Sequence, residues 1–238
     1  MRGLRRALVT GGTDGIGLEI VRLLASRDVR VIAVGRRRGP NIEGVSWAIA
    51  DQSDPEPSAA VIAAACETAG GVDAAILCAG TGTHVADGPE GADVIRRTMR
   101  VNLTASILIA HALAPMLLDR RGTLALVGSV ARKGAATLPS YAASKAGLHG
   151  FARALGEEWR GRATVMVLHP GPTRTNMQAK AGLDVGRAAR MFVPAPLAAR
   201  TILGRIEAAH GSLRPHAARV AHGAAFRRAL LERIGLAR

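Results

Sequence analysis

Aromatic side chains, lysine and cysteine are all scarce in this sequence of 238 residues. Phe, Trp and Tyr make up 3% of the chain, Tyr141 is the only tyrosine, and lysine occurs only at positions 133, 145 and 180. Few rings are available to stack on nucleic-acid bases, so we expect no nucleic-acid partner. The two cysteines, Cys66 and Cys78, lack CxxC or Cys/His spacing, which gives no support to a disulfide framework or a zinc site.

Long hydrophobic runs and fixed-period repeats are also lacking. The longest apolar candidate is about Ala59–Cys66, well short of the roughly 18 residues that cross a bilayer. The apolar stretch Ala7–Val9 near the start is too short for the core of a signal peptide. The seven histidines form no HxH or HxxxH pair, so we expect no metal. We predict a cytoplasmic protein with a single domain over residues 1–238.

Acidic residues are few towards the end of the chain. Residues 160–238 hold 14 basic and 3 acidic residues, and the whole chain has a net charge of +14. In the basic tail, about 210–238, Phe226, Leu230 and Ile234 recur at helical spacing, which predicts an amphipathic helix. This helix either packs on its own domain or a partner subunit, or makes a weak contact with an anionic membrane surface.

Short aliphatic runs alternate with longer helical patterns, which is typical of a parallel sheet covered by helices. The predicted strands are Ala7–Val9, Val29–Val34, Trp47–Ala50, Ala74–Leu77, Thr123–Val127 and Thr164–Leu168. The predicted helices are Ile16–Ala25, Pro57–Ala69, an interrupted Asp93–Met116, Tyr141–Trp159 and Ala195–Ala209. The fold class is therefore α/β, a doubly wound parallel sheet with helices on both faces. The irregular segment about 176–194 is predicted to be a lid over the site.

A glycine-rich segment, Thr10–Gly17, directly follows the first predicted strand and opens the first helix. Gly11 permits a tight turn, Gly15 lets the backbone approach a pyrophosphate, and Gly17 lets the helix pack on the strand. The helix N-terminus then favours the anion. The segment indicates a dinucleotide site, although a purely structural turn has the same composition.

The end of the second strand indicates which dinucleotide binds. Sites for NAD place a carboxylate there, whereas sites for NADP place arginine beside the 2′-phosphate. This chain has three consecutive arginines after Gly35, of which Arg36 is the first candidate and Arg37 the second. NADPH/NADP+ is the predicted cofactor, with a solvated turn as the alternative. Asp51, after the third strand, either accepts a hydrogen bond from the adenine amine or caps a turn.

Tyr141 and Lys145 stand four residues apart on a predicted helix and so share one face. A neighbouring ammonium favours the phenolate, so we expect the pKa of Tyr141 to be lowered enough for acid/base work. Ser129 follows a predicted strand and can hydrogen-bond a substrate oxygen, or simply cap a turn. The pattern predicts hydride transfer to a ketone or aldehyde with Tyr141 as general acid.

These motifs together resemble the short-chain dehydrogenase/reductase family, whose fold is a Rossmann-like sheet. Besides the motifs above, the resemblance includes Cys78–Gly80, Val101–Asn102 and His169–Thr175, in family order over about residues 5–177. It implies that Ser129, Tyr141, Lys145 and Asn102 are catalytic. The positions that it and the glycine loop assign to the cofactor are Gly11, Thr13, Asp14, Gly15, Ile16, Gly17, Arg36, Arg37, Asp51, Ala79, Gly80, Asn102, Tyr141, Lys145, Pro170, Gly171, Thr173 and Thr175.

The resemblance also implies a substrate class and an assembly. The substrate is expected to be an apolar carbonyl compound, acyl, polyketide or steroid-like, enclosed by Ala131–Leu138 and the lid. A homodimer or homotetramer is expected through the helices at Asn102–Met116 and Tyr141–Trp159. The alternative from another class is a sensor or scaffold protein that binds NADP(H) without catalysis.

Two departures from the family pattern affect the fold more than the chemistry. Cys78 stands where an asparagine usually ties neighbouring strands together, which predicts a weaker turn there. The usual last strand, with its Val-Asp-Gly-Gly-like ending, is missing from the sequence pattern. We expect His210–Pro215 and the arginine-rich tail in its place.

Overall fold

Parallel strands form one central sheet in the computed structural model, which describes residues 3–85, 88–183 and 186–220 without the side chains of 187–189 and 217–220. The strands of the sheet are β1 (Arg6–Thr10), β2 (Arg30–Gly35), β3 (Val45–Ile49), β4 (Ala74–Leu77), β5 (Thr123–Val127), β6 (Thr164–Pro170) and β9 (His216–Val220). Their spatial order is β3-β2-β1-β4-β5-β6-β9, and each neighbouring pair is parallel. The chain adds strands on one side of β1 as far as β3 and then on its other side from β4 onward, so the strand order reverses between β1 and β4. This reversal places a ligand crevice at the carboxyl ends of these two strands.

Helices cover both faces of the sheet, so the predicted fold class is confirmed. They are α1 (Gly15–Ala25), α2 (Pro55–Thr68), α3 (Ala92–Met99), α4 (Ala105–Asp119), α5 (Pro139–Glu158), α6 (Met177–Lys180) and α7 (Ala195–Ala209). The helices α2, α4 and α5 contribute to the hydrophobic cluster on one face, and α1 and α7 contribute to the cluster on the other.

The alternation of side chains along each strand supplies both clusters. In β1, Leu8 belongs to the cluster under α2, α4 and α5, whereas Ala7 and Val9 belong to the cluster under α1 and α7. All three are fully buried, as expected for a strand in the middle of a covered parallel sheet. Ile16, one of the positions assigned to the cofactor, packs against the cluster under α1 and α7.

The predicted interruption of the long helix after residue 93 is confirmed. A π-helical turn, Arg100–Thr104, separates α3 from α4. Within the part of the chain that the structure describes, the continuous stretch Ala92–Asp119 is long and apolar enough to cross a membrane by length and composition. Its α4 half buries Ile109, Leu113 and Leu117 in the core, so this face belongs to the packing of the sheet.

The expectation that the last strand is missing is wrong. His216–Val220 forms β9 and pairs in parallel with β6, with Met166 opposite His216 and Pro170 opposite Val220. The segment lacks the usual sequence pattern, but the exposed edge of β6 offers backbone groups with which any short extended segment can pair. The predicted amphipathic helix at Phe226, Leu230 and Ile234 lies outside the described residues.

The two ends of the predicted lid are joined by a pair of short strands. Two short strands, β7 (Thr173–Arg174) and β8 (Val193–Pro194), pair in parallel at its base. Between them lie α6 and a 3-10 helix, Gly186–Met191, with residues 184–185 outside the description. The base of the lid is therefore fastened next to the carboxyl end of β6.

Candidate active site

The loop between β1 and α1 leaves no room for side chains at its glycines. Gly11 has a φ of 67°, and a Cβ there would lie 2.9 Å from the Cα of Ala79. A Cβ on Gly17 would lie 2.2 Å from the carbonyl oxygen of Gly11, and one on Gly35 would lie 2.5 Å from Cγ2 of Thr13. The loop backbone before α1 is therefore closely packed and bears no side chains at these glycines. Its N–H groups are open to an anion, which fits the pyrophosphate of a dinucleotide.

The three arginines after β2 are exposed, and Arg36 is the one whose charge acts on Asp51. Burial acts to raise the pKa of the Asp51 carboxyl, but hydrogen bonds from Ser53 and the charges of Arg36 and Arg97 outweigh burial and lower it. The structure thus places Arg36 and Asp51 near each other beyond the ends of β2 and β3. Arg37 is not among the charges that act on Asp51.

Tyr141, Lys145 and Ser129 lie together at the carboxyl end of β5. Tyr141 is in the first turn of α5 and is 8% exposed, and Nζ of Lys145 is 5.7 Å from the centroid of its ring. The Lys145 ammonium donates a 2.9 Å hydrogen bond to the carbonyl of Val127, the last residue of β5. Oγ of Ser129 accepts a 3.1 Å hydrogen bond from the N–H of Ala131, and its hydrogen bond with Tyr141 acts to lower the Tyr141 pKa.

Burial determines the direction in which both pKa values shift. It raises the pKa of Tyr141 against the opposing effect of Ser129, and Cys78 raises it further. Burial also lowers the pKa of Lys145 to about 8. The expectation that Lys145 lowers the pKa of Tyr141 is therefore wrong, because both groups are withdrawn from water and each neutral form is favoured. A phenol with a raised pKa stays protonated at neutral pH, as a proton donor must.

Asn102 is fully buried in the π-helical turn between α3 and α4. Its Oδ1 accepts from the N–H of Thr81 at 2.8 Å, and its Nδ2 donates to the Thr81 carbonyl at 2.8 Å and to Oγ of Ser144 at 3.0 Å. A methyl group on Gly80 would lie 3.4 Å from both Asn102 Oδ1 and Lys145 Nζ. Asn102 therefore connects the turn after β4 to α5 beside Lys145. No pattern in the sequence indicated that Ser144 takes part.

The turn after β4 is tied to β1 by a hydroxyl group. Oγ1 of Thr10 accepts hydrogen bonds from the N–H groups of Cys78 and Ala79, both at 3.1 Å. These two hydrogen bonds join the turn to β1, and the weaker turn at Cys78 stays a prediction. Burial raises the pKa of the Cys78 thiol to about 11, so this thiol stays protonated at neutral pH.

The base of the lid lies on the glycine loop. A Cβ on Gly15 would lie 3.0 Å from Cγ2 of Thr175. Asp14 caps α1 by accepting from the N–H of Gly15 at 2.7 Å, and it also accepts from Asn176 at 3.1 Å and from Lys180 at 2.5 Å. Sequence reasoning missed Asn176 and Lys180, since 162 and 166 residues separate them from Asp14.

The predicted cofactor positions after β6 also lie at the carboxyl edge of the sheet. Pro170 ends β6, and the hydroxyl of Thr173 donates to the carbonyl of Gly171 at 3.0 Å. His169 is 2% exposed, and its Nε2 lies 3.0 Å from Nδ1 of His149 on α5. Burial lowers the pKa of His169 to about 4, so this ring is neutral at neutral pH.

A further segment, Thr81–Val85, reaches the same region. The N–H of His84 donates to the carbonyl of Ala181 in the lid at 2.6 Å, and the N–H of Val85 donates to the carbonyl of Thr137 at 3.1 Å. These contacts are made by the backbone, so no residue type in the sequence indicated them. The segment connects the lid to the loop before α5. Among the described residues, no group of three His, Cys, Asp or Glu side chains could hold a metal.

A family model described as short chain dehydrogenase matches residues 5–185, which is more than half of the chain. This chain belongs to the short-chain dehydrogenase family. The matched range includes every residue of the glycine loop, the Tyr141 cluster and β7. It ends before α7 and β9. The protein is therefore an oxidoreductase.

Two of the relatives of this short-chain dehydrogenase are named as 3-oxoacyl-[acyl-carrier-protein] reductases. The 3-oxoacyl-[acyl-carrier-protein] reductase MabA of Mycobacterium tuberculosis is 30% identical over 194 residues, covering 80% of this chain and 78% of MabA. The 3-oxoacyl-[acyl-carrier-protein] reductase FabG of Vibrio cholerae is 35% identical over 188 residues, covering 72% of this chain and 74% of FabG.

Two solved structures resemble this short-chain dehydrogenase over nearly its whole length. A single-residue variant of the actinorhodin polyketide ketoreductase, solved with NADPH, is 26% identical, with a TM-score of 0.79, and the match covers 91% of this chain and 95% of that one. A short chain dehydrogenase from Shigella flexneri complexed with NADP is 25% identical, with a TM-score of 0.77. The match covers 91% of this chain and 96% of that one.

Proposed function

We propose that this short-chain dehydrogenase reduces an apolar ketone or aldehyde to an alcohol with NADPH, with Tyr141 as general acid. The observation that carries the proposal is the grouping of Tyr141, Lys145 and Ser129 at the carboxyl end of β5. Ligands of open parallel sheets bind at this edge. Burial raises the pKa of Tyr141 above its ordinary value, so its phenol stays protonated at neutral pH.

Each of the three side chains has a separate task in this proposal. The hydroxyl of Ser129 donates a hydrogen bond to the substrate carbonyl oxygen and orients it. The phenol of Tyr141 donates its proton to that oxygen as negative charge develops there. Lys145, held by the carbonyl of Val127, binds the ribose hydroxyls of the cofactor and re-supplies the proton lost by Tyr141.

The close-packed glycine loop fits the pyrophosphate of a dinucleotide, and from this fit we assign the residues that hold the cofactor. Backbone N–H groups at Gly15–Gly17 would hold the pyrophosphate, Arg36 would bind the 2′-phosphate, and Asp51 would accept from the adenine amine. Pro170, Gly171 and the threonines that follow would hold the nicotinamide. NADPH supplies the hydride when bound. The NADPH and NADP in the two structural relatives support this choice of cofactor.

The substrate that we propose is a 3-oxoacyl thioester or a related polyketide chain. The names of MabA, FabG and the actinorhodin ketoreductase support an acyl or polyketide carbonyl. The two segments that we expect to enclose the site contain small and aromatic side chains such as Ala131, Ala181 and Phe192, which agrees with an apolar chain. Such small and aromatic side chains offer apolar walls with few hydrogen-bonding groups.

A panel of substrates tests the proposed function. NADPH oxidation is followed at 340 nm with 3-oxoacyl thioesters of increasing chain length, a steroid ketone and a sugar aldehyde. We expect the highest kcat/KM with a 3-oxoacyl thioester and little turnover with the sugar. Tight NADPH binding with no turnover across the whole panel would instead favour the sensor or scaffold alternative.

We also propose that copies of the chain associate through α4 and α5. His111 on α4 and Phe151 on α5 form a ring contact with centroids 6.2 Å apart, so the two helices meet at this pair, where His111 is exposed. Sedimentation equilibrium tests this proposal. We expect a dimer or tetramer for the wild type and a monomer for Phe151→Glu.

A further inference from the structure

The helix that carries Tyr141 has no cap of its own. Leu138 occupies the N-cap position of α5 and makes no side-chain hydrogen bond, and the first turn contains no acidic residue. The first N–H groups of a helix have no partner within the helix, and they carry the positive end of its dipole. This end of α5 therefore needs an acceptor from elsewhere in the chain.

Glu90 provides this acceptor from 50 residues earlier in the sequence. Its Oε2 accepts from the N–H of Ser140 at 2.9 Å, and its Oε1 accepts from the Ser140 hydroxyl at 3.0 Å. Ser140 is buried, so water does not compete freely for these two bonds. A carboxylate at this position also faces the favourable end of the helix dipole.

Tyr141 is the next residue after Ser140, so the bonds of Glu90 act on the turn that holds the phenol. Gly82 also packs closely on the Tyr141 ring, because a methyl group on Gly82 would lie 3.1 Å from Cδ2 of Tyr141. Gly82 belongs to the segment Thr81–Val85 described above, and Glu90 lies a few residues after it. The same stretch of chain therefore contacts the ring and caps its helix.

We propose that Glu90 is a positioning residue for Tyr141, which it places by capping the first turn of α5 from outside the helix. The proposal rests on the function proposed above for Tyr141. Glu90 contacts Ser140 and none of the groups assigned to the substrate, so it acts through the helix. A displacement of about 1 Å in a catalytic group can lower a rate by up to about 100-fold.

Because Tyr141 is the only tyrosine, its position can be followed without activity. Protein labelled with ¹³Cζ-tyrosine gives one resonance, and we compare it in the wild type, Glu90→Ala, Glu90→Gln and Asp93→Ala. Asp93 is the matched control, since its exposed carboxylate contacts Arg96 in α3. We expect the resonance to shift or broaden in Glu90→Ala and to stay near the wild-type position in Asp93→Ala and Glu90→Gln, whose amide retains an acceptor for Ser140.

Kinetics with the best thioester provide the second readout. We expect kcat to fall roughly 10-fold in Glu90→Ala, with an unchanged KM for NADPH, and to recover to within about 3-fold of the wild type in Glu90→Gln. A larger solvent isotope effect on kcat is expected in Glu90→Ala, because proton donation by a displaced phenol becomes slower. Thermal melting of each variant shows that the folded protein is being compared.

The proposal is overturned if the tyrosine resonance of Glu90→Ala superimposes on that of the wild type, or if Asp93→Ala moves it equally. It is also overturned if kcat and KM of folded Glu90→Ala match the wild type. Failure of the proposed function gives a different result, namely no turnover by the wild type. The comparison of resonances then still decides whether Glu90 places Tyr141.

Discussion

The ammonium of Lys145 lies 5.7 Å from the centroid of the Tyr141 ring, one helical turn along α5, but it does not make the phenol more acidic. The ammonium donates to the carbonyl of Val127, and both residues are withdrawn from water. The phenol therefore keeps its proton and the lysine loses part of its basicity. At neutral pH the phenol is in its protonated form, which the proposed role of proton donor requires.

The titration of Tyr141 is the most direct consequence. We expect the phenol of the free protein to ionise above its ordinary value of about 10, because burial raises its pKa. The single tyrosine makes the absorbance change at 295 nm specific to this residue. Ser129→Ala is expected to move the midpoint further up, since the Ser129 hydrogen bond acts to lower it. A midpoint below 10 would contradict the dominance of burial.

Replacing Lys145 is expected to stabilise the fold at neutral pH. The fold lowers the pKa of this amine from 10.5 to about 8, so its charged form costs stability below pH 8, and the cost disappears as the pH rises from 8 to 10.5. We expect Lys145→Met to raise the free energy of unfolding by roughly 2 kcal/mol at pH 7, after allowing for the lost hydrogen bond to Val127. Urea unfolding at pH 7 and pH 10 checks this, and a difference that does not shrink with pH would argue against it.

Gly17 has no room for a side chain, whereas Gly204 has room and serves as the matched control. A Cβ on Gly17 would lie 2.2 Å from the carbonyl oxygen of Gly11, whereas one on Gly204 in α7 meets nothing within 4 Å. We expect Gly17→Ala to lower the free energy of unfolding by roughly 3 kcal/mol and to abolish tight NADPH binding. Gly204→Ala is expected to stabilise the protein by up to about 1 kcal/mol. Equal effects of the two changes, by chemical denaturation, would be inconsistent with the tight loop.

Arg36 is expected to discriminate between the two nicotinamide cofactors. We expect Arg36→Ala to raise the Kd for NADPH roughly 10- to 100-fold and to change the Kd for NADH little, because the lost bond is to the 2′-phosphate. Arg38→Ala, from the same exposed turn, is the control and should keep both values. Quenching of protein fluorescence on titration with each cofactor measures the four constants. Equal losses for NADPH and NADH would place the 2′-phosphate elsewhere.

Much of the fold could be predicted from local patterns. The strand β4 lies where its run of four apolar residues predicted it, and β5 occupies the predicted Thr123–Val127. Both strands are buried on two faces, so their sequences carry an uninterrupted apolar signal. The strand β9 carries no such signal in its sequence, and the structure defines it through its backbone pairing with β6.

The parts of the site that could not be predicted depend on contacts between distant segments. The bonds of Glu90 to Ser140 and of Lys180 to Asp14 join residues 50 and 166 positions apart, and single residues of these types occur on any surface. The pKa of Tyr141 is another example. The sequence shows the nearby lysine, but the burial that raises this pKa arises only when segments distant in the sequence, such as α5 and the segment at Gly82, pack together.

The single measurement that tests this account most directly is the rate of NADPH oxidation by wild type and Tyr141→Phe with the best 3-oxoacyl thioester. Phenylalanine keeps the ring and its packing on Gly82 but has no proton to donate. We predict that kcat/KM falls by about 100-fold or more, with an unchanged Kd for NADPH. Equal rates in the two proteins, with both shown to be folded, would contradict the assignment of Tyr141 as the proton donor.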